Sequence, residues 1–136
     1  MKTEYESTMC SIRDKEWFRY LLTGGGAVFV DFAGYFLLTG IDIIPSIAKG
    51  SSYVAGALFA FSVNKSWTFR SQGKIQGELC KFAGLYAFTF VANVFLNDAL
   101  LWATELKLFA FIVATGTTIV LNYIGQKYWV FGRIPK

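Results

Sequence analysis

The sequence carries one pentad twice, Lys65-Ser66-Trp67-Thr68-Phe69 and Lys127-Tyr128-Trp129-Val130-Phe131, at an offset of 62 positions. An amide-bearing residue, Asn64 or Gln126, stands directly before each lysine, and the same offset pairs Arg19 with Lys81. Lys and Arg offer charge-assisted hydrogen bonds to phosphate oxygens, and amides add neutral donors. A Trp ring can stack on a sugar face. Arg19, Asn64, Lys65, Trp67, Lys81, Gln126, Lys127 and Trp129 are therefore the candidate phosphate or headgroup set. A plainer role stays open beside it, because Trp and Lys at helix ends are ordinary membrane anchors.

A second polar group sits in apolar sequence. Asp31 follows Arg19 by 12 residues, about 18 Å along a helix and near the middle of a bilayer. An ionised carboxylate there costs roughly 2.5–3.5 kcal/mol unless it pairs, protonates or faces a hydrated interior. Two readings stand: a proton-linked or substrate-gating acid, or an acid held by Asn93 or Asn122. Asn93 is the residue matched to Asp31 at the 62-residue offset. Asp31, Asn93 and Asn122 form the candidate intramembrane polar path.

Other chemistries find little support. The chain has no histidine, and Cys10 and Cys80 lie 70 positions apart, which offers no metal-ligand spacing. Gly24-Gly25-Gly26 lacks the spacing and the following Lys-Ser/Thr of a phosphate loop. Serines and threonines occur without a placed base. The expectation is a protein without metal, cofactor or enzymatic activity.

The elements that must position these residues follow from composition. The 136 residues are 54% apolar and only 16% charged, where a soluble domain would carry about a quarter charged. Four segments, Arg19 to Thr39, Ser46 to Lys65, Lys81 to Thr104 and Leu108 to Lys127, are each near the ~20 residues that a spanning helix needs. A cleaved signal peptide is not expected, because the first apolar segment exceeds a signal h-region and lacks a convincing cleavage pattern.

Of the 13 Lys and Arg residues, 11 fall before the first segment, around the central loop or after the fourth; only Lys49 and Lys107 lie at the other ends. The positive-inside rule then places both termini in the cytoplasm, where the cysteines stay reduced. The net charge of +4 reflects topology rather than nucleic-acid binding. Within the matched segments, small residues recur every four positions: Ala48, Ser52, Gly56 and Ala60, then Ala110, Ala114, Thr118 and Asn122. Such stripes let helices approach closely in lipid or line a substrate path.

The fold expected is an all-α membrane protein of four transmembrane helices, arranged as two parallel helical-hairpin repeats, about 19–71 and 81–133, with both termini cytoplasmic. Residues 1–16 form a cytoplasmic tail, either disordered or an interfacial helix, and 17–133 form the transmembrane domain. The loop from Arg70 to Glu78 reads as a simple linker between the hairpins.

The runs Phe18-Arg19-Tyr20-Leu21-Leu22-Thr23-Gly24-Gly25, Phe61-Ser62-Val63-Asn64-Lys65-Ser66-Trp67-Thr68-Phe69 and Asn122-Tyr123-Ile124-Gly125-Gln126-Lys127-Tyr128-Trp129-Val130-Phe131 carry a resemblance. The chain resembles the GtrA-like family of small four-helix membrane proteins. Lys65 and Lys127 stand where such endings often carry Arg, a departure that keeps charge but weakens bidentate phosphate recognition.

The resemblance implies a multi-pass protein of the cytoplasmic (inner) membrane that flips a polyprenyl-phosphate-linked sugar for cell-surface glycan synthesis. Membrane lipids, a glycosyltransferase partner and a homo-oligomer are implied with it. In that role Arg19, Lys65 and Lys127 would receive the phosphate, and Asp31 and Asn93 would accept hydroxyls midway. The alternatives are a non-transporting membrane subunit that recruits or stabilises a glycosyltransferase, and a proton-coupled small-molecule exporter.

Overall fold

The computed structural model describes residues 2–132, with the side chains of all of these except Lys2, Met9, Cys10, Ile12 and Arg13. Of the 13 Lys and Arg residues and the two cysteines, the side chains of Lys2, Cys10 and Arg13 and the whole of Arg133 and Lys136 lie outside that description. Four α-helices occur among the described residues: α1 (Lys2–Gly40), α2 (Pro45–Val63), α3 (Ile75–Thr104) and α4 (Lys107–Gly125), and no strand is present. Single π turns, Asn64–Thr68 and Gln126–Val130, extend α2 and α4.

The chain divides into two compact units, Met1–Arg70 and Ser71–Lys136. In the first, α1 and α2 form an antiparallel hairpin. Pro45 opens α2, at the position where a missing N–H costs nothing. The turn before it is closed by the Ile43 amide donating to the Leu38 carbonyl at 3.1 Å. Asp42 adopts φ 62° there, a left-handed conformation that Asp tolerates better than most side chains.

The small-residue stripe of α2 is buried along its length, at Ala48, Ser52, Gly56 and Ala60. It packs on α1, with Ser52 against Gly34 and Gly56 against Ala27. In the second unit α4 buries Ala110, Ala114 and Thr118, and Gly125 accommodates the Leu85 side chain of α3. Both stripes therefore serve helix packing inside their own hairpins.

Two segments gain detail. Of the two forms expected for the N-terminal tail, residues 2–16 take the helical one, and α1 runs unbroken through them. No Pro or Gly interrupts the stretch, and the Ser7 and Thr8 hydroxyls donate to the Glu4 carbonyl at 3.0 and 2.8 Å, keeping those polar groups within the helix. The central loop is also more than a linker. Buried Glu78, in the first turn of α3, accepts a hydrogen bond from Ser71 Oγ, which ties the loop to the helix.

Among the described residues, three helices are long and apolar enough to cross a membrane: Asp14–Gly40, Ile75–Thr104 and Lys107–Val130. On composition α2 falls short, because Ser46, Lys49, Gly50, Ser51 and Ser52 crowd its first two turns.

Candidate functional site

The repeated pentads take the same unusual backbone form. The Phe69 amide donates to the Asn64 carbonyl, and the Phe131 amide to the Gln126 carbonyl, each five residues back at 2.8 Å. Such i→i+5 turns are rare and concentrate at functional positions. In both, the amide residue and the closing phenylalanine point inward. Asn64 and Gln126 are 1% and 0% exposed, and Phe69 and Phe131 are also buried.

In the first unit the turn organises a polar cluster with α1. Thr68 Oγ1 donates to Asn64 Oδ1 at 2.9 Å and lies 3.3 Å from Thr23 Oγ1. Arg19 Nη1 donates to the Trp67 carbonyl at 3.4 Å, and its guanidinium stands 5.5 Å from the Trp67 ring centroid. Tyr20, stacked on Trp17, packs beside Phe69. Arg19, Asn64 and Trp67 thus share one end of the hairpin, with Lys65 half-buried in the same turn. Asn64 faces the protein interior, so the groups available to a ligand here are Arg19, Lys65 and Trp67.

The second unit builds its end differently. Lys127 Nζ donates to Tyr123 Oη at 3.4 Å and stands 5.5 and 5.7 Å from the Tyr123 and Tyr128 ring centroids. Gln126 Nε2 donates to Tyr86 Oη at 3.5 Å. Lys81 and Trp129 are exposed, and among the described residues Lys81 does not repeat the Arg19 contact with a π turn. The cation of this end comes from the turn itself.

Further along the first hairpin lies a charged cluster. Lys49 Nζ donates to Asp31 Oδ2 at 2.5 Å, and Ser52 Oγ donates to Asp31 Oδ1 at 2.7 Å. Asp31 is therefore held by a lysine and a serine of its own hairpin, two partners that the reading of the sequence did not name. Physically the lysine is the better partner, since it supplies a full opposite charge where a bare carboxylate is expensive.

Asn93 and Asn122 are engaged within the second unit. Asn93 Nδ2 donates to Thr118 Oγ1 at 3.2 Å, and Asn122 Oδ1 accepts from Thr89 Oγ1 at 2.8 Å. They form two polar contacts between α3 and α4.

Lys49 is the residue that sequence reasoning missed. Counting outward from the turn at 41–44 sets Asp31 opposite Val54, two positions from Ser52 and five from Lys49 on the same helix. The approximate register was legible; the reach of the lysine side chain back along it was not.

The chain matches the family model described as GtrA/DPMS, transmembrane domain, over residues 19–131. It is 28% identical to the uncharacterized membrane protein YngA of Bacillus subtilis (strain 168), covering 94% of this chain and 88% of that protein. It is 26% identical to the cell wall teichoic acid glycosylation protein GtcA of Listeria monocytogenes serovar 1/2a, covering 86% of this chain and 84% of that one. GtcA of Listeria innocua serovar 6a is similar to the same degree, at 26% identity and the same coverage. The matched region begins at Arg19 and ends at Phe131, taking in both hairpins and both π turns, and the chain is a multi-pass membrane protein that belongs to the GtrA/DPMS transmembrane-domain family.

Proposed function

We propose that the protein translocates a polyprenyl-phosphate-linked sugar from the cytoplasmic to the outer leaflet of the cytoplasmic membrane, where a partner glycosyltransferase transfers the sugar to a cell-surface glycan. The role is transport rather than catalysis. The observation that carries it is the Asp31–Lys49–Ser52 cluster, a charged and hydrogen-bonding station flanked by large exposed apolar side chains of the same hairpin, among them Val28, Phe29, Phe32 and Tyr53. A lipid-linked sugar keeps its tail in hydrocarbon while its phosphate and hydroxyls need such polar stations. Arg19, Lys65 and Trp67 at the hairpin's end suit first contact with the headgroup, by charge-assisted bonds and ring stacking. The similarity to proteins named for teichoic acid glycosylation supports a glycan pathway.

In this reading the chain crosses four times as two parallel hairpin repeats, with both termini cytoplasmic, and works as a homo-oligomer. Two hairpins make a thin wall for a sugar headgroup. A second role, as a non-transporting subunit that holds a glycosyltransferase, draws on the large exposed apolar side chains of both hairpins, among them Phe29, Phe36, Phe95 and Trp102. An exporter driven by protons on Asp31 is less well supported, since that carboxylate is engaged by Lys49.

The test is reconstitution in liposomes loaded with a polyprenyl-phosphate sugar, reading how quickly an outside reagent gains access to the inner-leaflet pool. Wild-type protein should accelerate access over protein-free vesicles, and an Arg19→Ala, Lys65→Ala variant should lose that acceleration. No acceleration by folded protein would favour the glycosyltransferase-subunit role.

A further inference from the structure

We infer that Lys49, near the turn end of the first hairpin, is an anion-binding residue: its ammonium receives the phosphate of an isoprenoid-linked substrate, and Asp31 is the internal carboxylate that occupies it in the substrate's absence. This rests on the translocation reading and adds to it a residue that recognises the phosphate at the turn end of the hairpin, away from Arg19 and Lys65.

The first support is the asymmetry of exposure within the ion pair. The Lys49 side chain is 57% exposed and that of Asp31 20%, while Ser52 is fully buried. Lys49 thus lies on the open side of the cluster, and Asp31 and Ser52 form its floor. An ammonium has three donors, and among the described residues one is directed to Asp31. The others can meet an approaching oxyanion without breaking up the hairpin.

The second support is that hairpin packing does not require the charges. At the 62-residue offset, Asp31, Lys49 and Ser52 correspond to Asn93, Phe111 and Ala114. There α3 and α4 are joined by neutral bonds, Asn93 to Thr118 and Thr89 to Asn122. Ion pairs away from water tend to be replaceable by apolar packing without loss of stability. The same chain therefore contains an uncharged solution to the same packing problem, and the charged one is left to be explained by a ligand.

The chemistry selects the ligand class. A carboxylate and a phosphate compete for an ammonium as like-charged oxyanions, so exchange of Asp31 for a phosphate conserves the pairing of Lys49. A neutral sugar or a cation gains nothing by it. The chemistry is shared by an isoprenoid phosphate and by free inorganic phosphate, and exposure on an apolar hairpin favours the isoprenoid form.

The decisive measurement is binding of citronellyl phosphate to the purified full-length protein in detergent micelles, beside citronellol and inorganic phosphate. Wild-type protein should bind citronellyl phosphate and neither control. A single neutralisation of Lys49 leaves Asp31 without its cation, so the Asp31→Asn, Lys49→Gln double variant decides the matter. It should remain folded and bind citronellyl phosphate about 10-fold more weakly or worse, as expected for loss of a charge-assisted bond. Lys49→Arg should retain binding, and Asp31→Asn should tighten it by removing the competitor.

Undiminished binding by the folded double variant, weakening by Asp31→Asn, or no binding by wild type would overturn the assignment. Equal competition by inorganic phosphate would overturn the isoprenoid form of it. The same variants in the liposome assay separate the two proposals. If wild type binds but does not accelerate leaflet exchange, translocation fails and the anion site stands. If wild type accelerates exchange and the double variant matches it, the anion site fails and translocation stands.

Discussion

At Gly56 the α2 backbone comes so close to α1 that an added Cβ would stand 2.7 Å from the Ala27 carbonyl oxygen and 3.3 Å from Asp31 Cβ. Backbone cannot swing aside as a side chain can. Gly56→Ala should therefore destabilise the hairpin by about 1–3 kcal/mol, the usual cost of overpacking, and lower the melting temperature in detergent. Gly24 provides the opposite case, with nothing within 4 Å of its would-be Cβ. There Ala should be neutral or stabilise by up to about 1 kcal/mol through helix propensity, measured in the same experiment. If Gly56→Ala melts no lower than Gly24→Ala, the close approach at Gly56 does not govern stability. In sequence, Gly24, Gly25 and Gly26 look alike, yet only Gly26 has a neighbour across the hairpin, the Phe59 ring. Which glycine packs depends on helix rotation, which sequence spacing constrains only loosely.

The helices connect through turns that store small amounts of strain, and these give the element scale its own test. Glu105 ends α3 in the left-handed conformation, φ 56°, with its amide donating to the Leu101 carbonyl at 2.8 Å. Gly is the usual residue at such a helix end, because a Cβ there is sterically penalised. Glu105→Gly should therefore stabilise the second hairpin by about 0.5–1 kcal/mol, net of the entropy that glycine adds to the unfolded chain. A lower melting temperature for that variant would mean that the Glu105 side chain stabilises the turn in some other way. The helices were legible from the length of the apolar runs, and the small-residue stripes correctly marked their buried faces. The π turns were not legible. Nothing in Asn-Lys-Ser-Trp-Thr or Gln-Lys-Tyr-Trp-Val separates an i→i+5 turn from a continuing α-helix, since the choice depends on inserting Asn64 or Gln126 inward together with the following phenylalanine. For the same reason the proposed ligand donors Asn64 and Gln126 are found buried, while the cations beside them remain accessible.

For the molecule as a whole, the number of membrane crossings decides on which side each end lies. Length and composition mark three helices, whereas the sequence segments and the charge distribution indicate four, and α2 makes the difference. Its polar first turns lower its hydropathy, but its contacts, continued by the π turn, run along α1 from Gly34 to Arg19. Ser52 meets Gly34, Gly56 meets Ala27, Phe59 meets Gly26, and Trp67 meets Arg19. In the four-crossing arrangement proposed above, this pairing would bring α2 back across the bilayer beside α1. The polar residues that weaken the hydropathy signal include Lys49 and Ser52, which are satisfied together with Asp31 rather than facing lipid singly. Fluorescent-protein fusions, which fold in the cytoplasm, and alkaline phosphatase fusions, which become active outside it, distinguish the two counts. With four crossings, fluorescence should appear for fusions before Met1, within the loop at Gly73 and after Lys136, and phosphatase activity for fusions at Asp42 and Leu106. Three crossings, with α2 remaining outside, would reverse the signals at Gly73, Leu106 and Lys136 while leaving those at Met1 and Asp42 unchanged. The fusion at Gly73 is the most discriminating of these, because it reports directly on whether α2 has returned across the membrane.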